Sequence, residues 1–119
     1  MKHSFPHDAL PICFAGSADF RAALLETMRL ARLHKVVGWV ADDRRLGAVR
    51  PIDLDWTHTN VLHPLNDLGL RRFAHLESVE VLNRLTINGM YQTVLPGVDY
   101  EFQHFTDLAA ARAWAAGGA

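Results

Sequence analysis

Short apolar runs alternate with longer stretches whose apolar positions recur at helical spacing. Ile12-Cys13-Phe14-Ala15 follows Pro11, which cannot donate to a sheet ladder, so this run predicts a strand start or a sheet edge. Gly16-Ser17 turns the chain, with Ser17 as the expected cap of a helix over 18–34 and Asp19 in its first turn. Phe20, Leu24, Thr27, Met28 and Ala31 mark the inner face of that helix. Val36-Val37-Gly38-Trp39-Val40-Ala41 is apolar without alternation, the pattern of a central strand covered on both faces. Pro51 suits the first position of a second helix, where its missing N–H costs nothing. Leu54, His58, Val61, Leu65 and Leu68 form one face, Pro64 predicts a kink or break, and Gly69 closes the helix.

The next run, Arg72-Phe73-Ala74-His75-Leu76-Glu77, predicts a third strand, with Ser78 capping a helix through Val94 that Pro96-Gly97 ends. Tyr100 to Phe105 alternates strictly, with Tyr100, Phe102 and His104 on one side, as a half-exposed edge strand does. Thr106 or Asp107 then caps an alanine-rich last helix anchored by Trp114. The expected fold is a single layered α/β domain over 1–119, with a mostly parallel sheet of four to five strands in β-α-β-α-β-α-β-α order. Residues 1–10 are expected to be a tail or a short edge strand.

Composition narrows the function classes. The 119 residues carry 12 Lys+Arg against 13 Asp+Glu, a formal charge of −1. No basic excess exists to drive nucleic-acid binding by counterion release. No apolar run approaches the roughly 20 residues of a membrane span, so membrane insertion is not expected. The single Cys13 excludes an internal disulfide, and a reducing cytoplasm is the expected compartment. Ala15-Gly16-Ser17-Ala18-Asp19 has one glycine where a dinucleotide-binding turn needs three, and no cofactor is expected.

Ligands of open α/β sheets bind outside the carboxyl ends of the strands. Three predicted strands end in polar residues there: Asp42-Asp43-Arg44, Glu77-Ser78 and Thr106-Asp107. Asp42, Asp43, Arg44, Arg50, Trp56 and Glu77 are therefore the candidate residues for a small-ligand or anion site. The alternative is that Ser78 and Thr106 only cap helices while the charges pair with their neighbours. Arg50 with Asp53 and Asp55 offers a further ion-pair network. Among seven histidines, His58 and His63 are five apart, which turns them away from each other on an ideal helix, unlike the i, i+4 pair of a zinc site. An irregularity at Pro64 could bring them together with Asp53 or Asp55, but no metal is expected.

Val37-Gly38-Trp39-Val40-Ala41-Asp42-Asp43-Arg44, then Asp53 and Trp56, then Leu68-Gly69-Leu70-Arg71-Arg72-Phe73-Ala74, are followed by the close Phe102-Gln103-His104-Phe105-Thr106-Asp107 running to Trp114. Together they resemble the STAS-like, SpoIIAA-like family of small bacterial α/β domains, over roughly residues 12 to 116. That resemblance implies a non-enzymatic regulator that binds protein partners or nucleotides. The phosphorylated serine of some relatives has no counterpart, because the matching stretch here is Asp42-Asp43-Arg44. The expectation is thus a regulatory, protein-interaction domain, a homodimer joined through the edge strand or the Trp114 helix. A small-ligand site at the strand ends is the alternative reading, and a His/Asp metal enzyme the third.

Overall fold

The computed structural model describes residues 17–117. Three parallel strands form one sheet in chain order: β1 (Gly38–Asp42), β2 (Arg72–Leu76) and β3 (Glu101–Phe105). Their register aligns Ala41, His75 and His104 across the sheet. Around them lie α1 (Ser17–His34), α2 (Pro51–Thr57), α3 (His63–Asp67), α4 (Val81–Val94) and α5 (Leu108–Ala115). The described residues thus hold three strands, not four or five. The expected strand at Ile12–Ala15, together with Cys13, His3 and His7, lies outside them.

Strand alternation sorts the core into two layers. Trp39, Ala41 and Phe73 point to the side of α1, α2, α3 and α4, where they join Met28, Leu54, Val61, Leu62, Ile87 and Tyr91. Val40, Ala74 and Leu76 point to the other side, against Ala111 and Ala115 of α5. Consecutive parallel strands joined by same-handed crossovers place their connecting helices on one face, as α2–α3 and α4 are placed. α5 crosses the opposite face. Its small inward residues let it lie so close that a Cβ added to Gly38 would sit 2.0 Å from the Ala115 carbonyl oxygen.

The valine-rich strand is buried on both faces, but β2 is the middle strand of the described sheet. α1 and α3 end by the same device. Lys35 (φ 50°) and Gly69 (φ 83°) take left-handed backbone, and the next residue's N–H reaches back to the Ala31 and Leu65 carbonyls respectively. Helix α4 is capped by Glu80, which accepts from the Asn83 N–H at 2.8 Å, and not by Ser78. Asp107, rather than Thr106, caps α5.

Pro64 does not break its helix. α2 and α3 are continuous through a π-helical segment, His58–Leu62, in which the His63 N–H bonds the His58 carbonyl five residues back. One extra residue in the turn absorbs the hydrogen bond that proline cannot make. It also stacks His58 on His63, with ring centroids 5.3 Å apart and planes 12° from parallel.

Candidate functional site

The six candidate residues of the strand ends do not converge on one point. Arg44 grips Asp42 with both arms of its guanidinium, Nε and Nη2 donating at 2.8 and 2.7 Å. That bidentate pair occupies the fork an anion would need. Arg50 caps the start of α2 without a side-chain bond. Trp56 lies under the Arg21 guanidinium, 5.2 Å from the ring centroid. The partners of Asp53 are Ser17 and Arg21, at 2.6 and 2.9 Å. Those bonds tie α2 to the start of α1, and Ser17 spends its hydroxyl there rather than on capping. Among the described residues no three metal-ligating side chains gather.

Asp43 and Glu77, by contrast, flank a polar chain that runs through the sheet. His75 is 1 % exposed, and its Nε2 lies 2.8 Å from Oδ2 of Asp43. Its Nδ1 lies 3.2 Å from Nδ1 of His104, which is exposed on the edge strand. A carboxylate only accepts, so with Asp43 ionised His75 carries a proton on Nε2, and in the neutral ring Nδ1 is left to accept. In that tautomer His104 donates from its own Nδ1 and carries its free lone pair on Nε2. The register of β2 and β3 makes this contact, because it sets the two histidines opposite each other. Glu77 accepts from the Asn88 amide at 2.6 Å; the Asn88 Oδ1 is buried without a partner among the described residues.

Asp43 also faces a cavity. About 60 Å3 of space, where a single water needs roughly 10–15 Å3, opens between α1, α2, α4 and the sheet. Phe20, Leu24, Trp39, Leu54 and Ile87 supply much of its apolar wall, with Met90 and Tyr91 from α4. Leu46 and Val49 close one side of it. Their loop is stapled by the buried Asn83 side chain, whose amide donates to the Leu46 and Gly47 carbonyls and accepts from the Val49 N–H. The polar part of the wall is small. Thr27 and Thr57 give their hydroxyl protons to the carbonyls of Ala23 and Asp53 in their own helices. Asp43 is 9 % exposed and Tyr91 6 %. Among the described residues, neither the Oδ1 of Asp43 nor the Tyr91 hydroxyl has a hydrogen-bond partner. Burial, and secondarily the Asp43 charge, hold the Tyr91 hydroxyl well above its ordinary range, so it stays protonated.

Burial and the neighbouring His75 lower His104 below its ordinary 6.5, against an opposing pull from Glu77. Glu77 itself is lowered from 4.5, chiefly by Asn88, and Asp53 from 3.8, chiefly by Ser17 and then Arg21. A group lowered on folding stabilises above its unfolded value and loses that contribution as pH falls toward its folded one. Stability is therefore expected to fall in two stages on acidification: first below pH 6.5 through His104, then below about pH 4.5 through the carboxylates. Urea midpoints across this range measure it, and His104→Gln should remove the first stage only.

Of the strand-end candidates, Asp43 and Glu77 lie beside this polar chain; His75, His104 and Tyr91 are not among the candidates that the strand ends suggest. One signal was present: a histidine in the apolar run Phe73-Ala74-His75-Leu76, at the parity of the inner face. No protein-family model, curated protein or solved structure matches this chain.

Proposed function

We propose that the domain binds a small amphipathic molecule in the cavity beside Asp43. One observation carries the reading: Asp43, whose side chain is 12 % exposed, lies on the wall of a largely apolar cavity with one carboxylate oxygen fixed by His75 and the other without a partner among the described residues. Burying a carboxylate without full pairing is costly, and sites that keep such a group have a use for it. The rest of the wall supplies apolar contact, the usual division of labour in ligand pockets. A panel of small metabolites should contain a member that raises the melting temperature. Ala23→Leu, which fills the cavity from α1, should abolish that rise while the protein remains folded. A stabilising ligand that is indifferent to Ala23→Leu would place binding elsewhere.

A second reading, self-association, is favoured by the outer face of α4. Val79 (76 %), Val81 (53 %), Leu82 (72 %) and Leu85 (62 %) are all more than half exposed at or just before the start of this helix. Arg84 is the only charged residue in α4. Thr86 and Thr93 turn their hydroxyls back onto the Leu82 and Gly89 carbonyls, leaving methyl groups outward. An uncharged face meets no unmatched charge on a two-fold copy of itself. The partner surface proposed is thus α4 and not β3 or α5, whose Trp114 is occupied by Phe105 and by the Arg72 guanidinium. Light scattering should report a dimer that Leu82→Glu with Leu85→Glu dissolves, at a stability cost within about 0.5 kcal/mol. A wild-type monomer would exclude it. A regulator of the kind the STAS-like resemblance implies could join the two surfaces, since α4 lines the cavity with Ile87, Met90 and Tyr91 and presents Leu82 and Leu85 outward.

A further inference from the structure

We propose that the molecule taken by this cavity is a small primary ammonium ion, and that its binding is coupled to proton release through Asp43, His75 and His104. The inference rests on the ligand-binding reading above and adds the ligand's charge and its regulation.

The charge follows from what the wall offers. Oδ1 of Asp43 has no hydrogen-bond partner among the described residues and is left as an acceptor. Thr27 and Thr57 have committed their protons to Ala23 and Asp53, so only lone pairs remain for a guest. Among the described lining residues Tyr91 is the one side-chain hydroxyl without a hydrogen-bond acceptor, and none is a lysine or arginine. Such a wall matches a group with several N–H donors and a positive charge. The nearest arginine in sequence, Arg44, is engaged by Asp42. An aliphatic body of about four carbons suits the volume and the apolar lining.

The coupling follows from the tautomers. A proton arriving on Nε2 of His104 lets that ring pass its Nδ1 proton to Nδ1 of His75. His75 then carries protons on both nitrogens, and its positive charge faces the Asp43 carboxylate. One proton enters at the surface, one crosses a 3.2 Å gap, and the net charge appears 2.8 Å from the ligand's anchor. An ammonium ion and a charged His75 compete for the same carboxylate. Bound amine therefore expels the proton, and acid expels the amine. The other groups facing this chain are Glu77 after β2, Arg84 and Tyr91 of α4, and Tyr100 before β3. Glu77 favours the protonated relay, Arg84 offsets Glu77, and both tyrosines are held protonated by burial.

Isobutylamine, isobutanol and isobutyrate present one carbon body with three charges, and calorimetry from pH 8 to pH 5 compares them. The amine should bind at least tenfold more tightly than the alcohol at pH 8, and isobutyrate should not bind. Below the relay's titration the amine should weaken by about tenfold per pH unit, the limiting slope for one linked proton. His104→Gln keeps a donor for Nδ1 of His75 but cannot carry the extra proton. It should leave the pH 8 affinity within about twofold and displace the pH dependence to lower pH, because an amide donor held on Nδ1 favours the neutral ring of His75. Nitrogen NMR at pH 8 should place the His104 proton on Nδ1. Amine binding that is flat with pH, or a proton on Nε2 of His104, overturns the coupling and leaves the ligand-binding reading standing. An alcohol that binds as tightly as the amine overturns the charge assignment alone. Failure of all three probes overturns the ligand-binding reading itself.

Discussion

Phe73→Ala is expected to lower the unfolding free energy by about 3–5 kcal/mol, the range for removing a fully buried phenylalanine. Phe73 is 1 % exposed in the middle strand and sits at the centre of the aromatic core. Its ring stacks on Trp39, Tyr100 and Phe102 with centroids 6.3, 5.8 and 5.4 Å away, and meets Tyr91 edge-on at 5.6 Å. Four rings, held by β1, α4, β3 and the loop before β3, cannot all close on the space it leaves, so most of the cavity term should persist. The loss also borders the existing cavity, because Phe73 lines it. Urea denaturation should show the drop in midpoint with little change in slope. Phe73→Leu, which keeps most of the volume, should recover more than half of it. A loss below about 1 kcal/mol for the alanine variant would mean that the aromatic cluster is not packed as described.

Gly38→Ala should be nearly as damaging, through excess rather than deficit. The added methyl would meet the Ala115 carbonyl oxygen at 2.0 Å and its carbon at 2.7 Å. Both are backbone atoms, so no side chain can swing aside, and the end of α5 must lift from β1. Overpacking of this kind costs about 3 kcal/mol. Raising α5 also strains the Arg72 bond to the Trp114 carbonyl, at 2.8 Å. Hydrogen exchange should find the amides of α5 losing protection ahead of those of β2. Uniform loss across the domain would show instead that α5 and the sheet open as one unit.

Much of the fold can be read in the chain because its devices are local. Pro51 at a helix start, Gly69 at a helix end, the 3.6 spacing from Phe20 to Ala31 and the alternation of 101–105 each act within a few residues. The failures share a different character. Glu80 displaced Ser78 as a cap because the Ser78 hydroxyl is drawn to Asn83 and the Glu80 N–H. Of the kink or break expected at Pro64, the structure shows no break but an irregularity, the π-helical His58–Leu62, a register change that no propensity encodes. The site was half legible for the same reason. Asp43 and Glu77 are candidates because ligands of open α/β sheets bind beyond the strand ends. The pairing of His75 with His104 depends on the register of two strands 29 residues apart. Asp42 and Arg44 satisfy each other across one intervening residue, so their charge carries no outward message.

Entry of a small molecule into the cavity beside Asp43 is the decisive property of this domain. Methyl-labelled protein titrated with isobutylamine and isobutanol addresses this directly by NMR. The account predicts shift changes at Leu54, Val61, Leu62, Ile87 and Met90, with Leu82 and Leu85 unmoved. Changes confined to Leu82 and Leu85, or no change at any wall methyl with either compound, would contradict it.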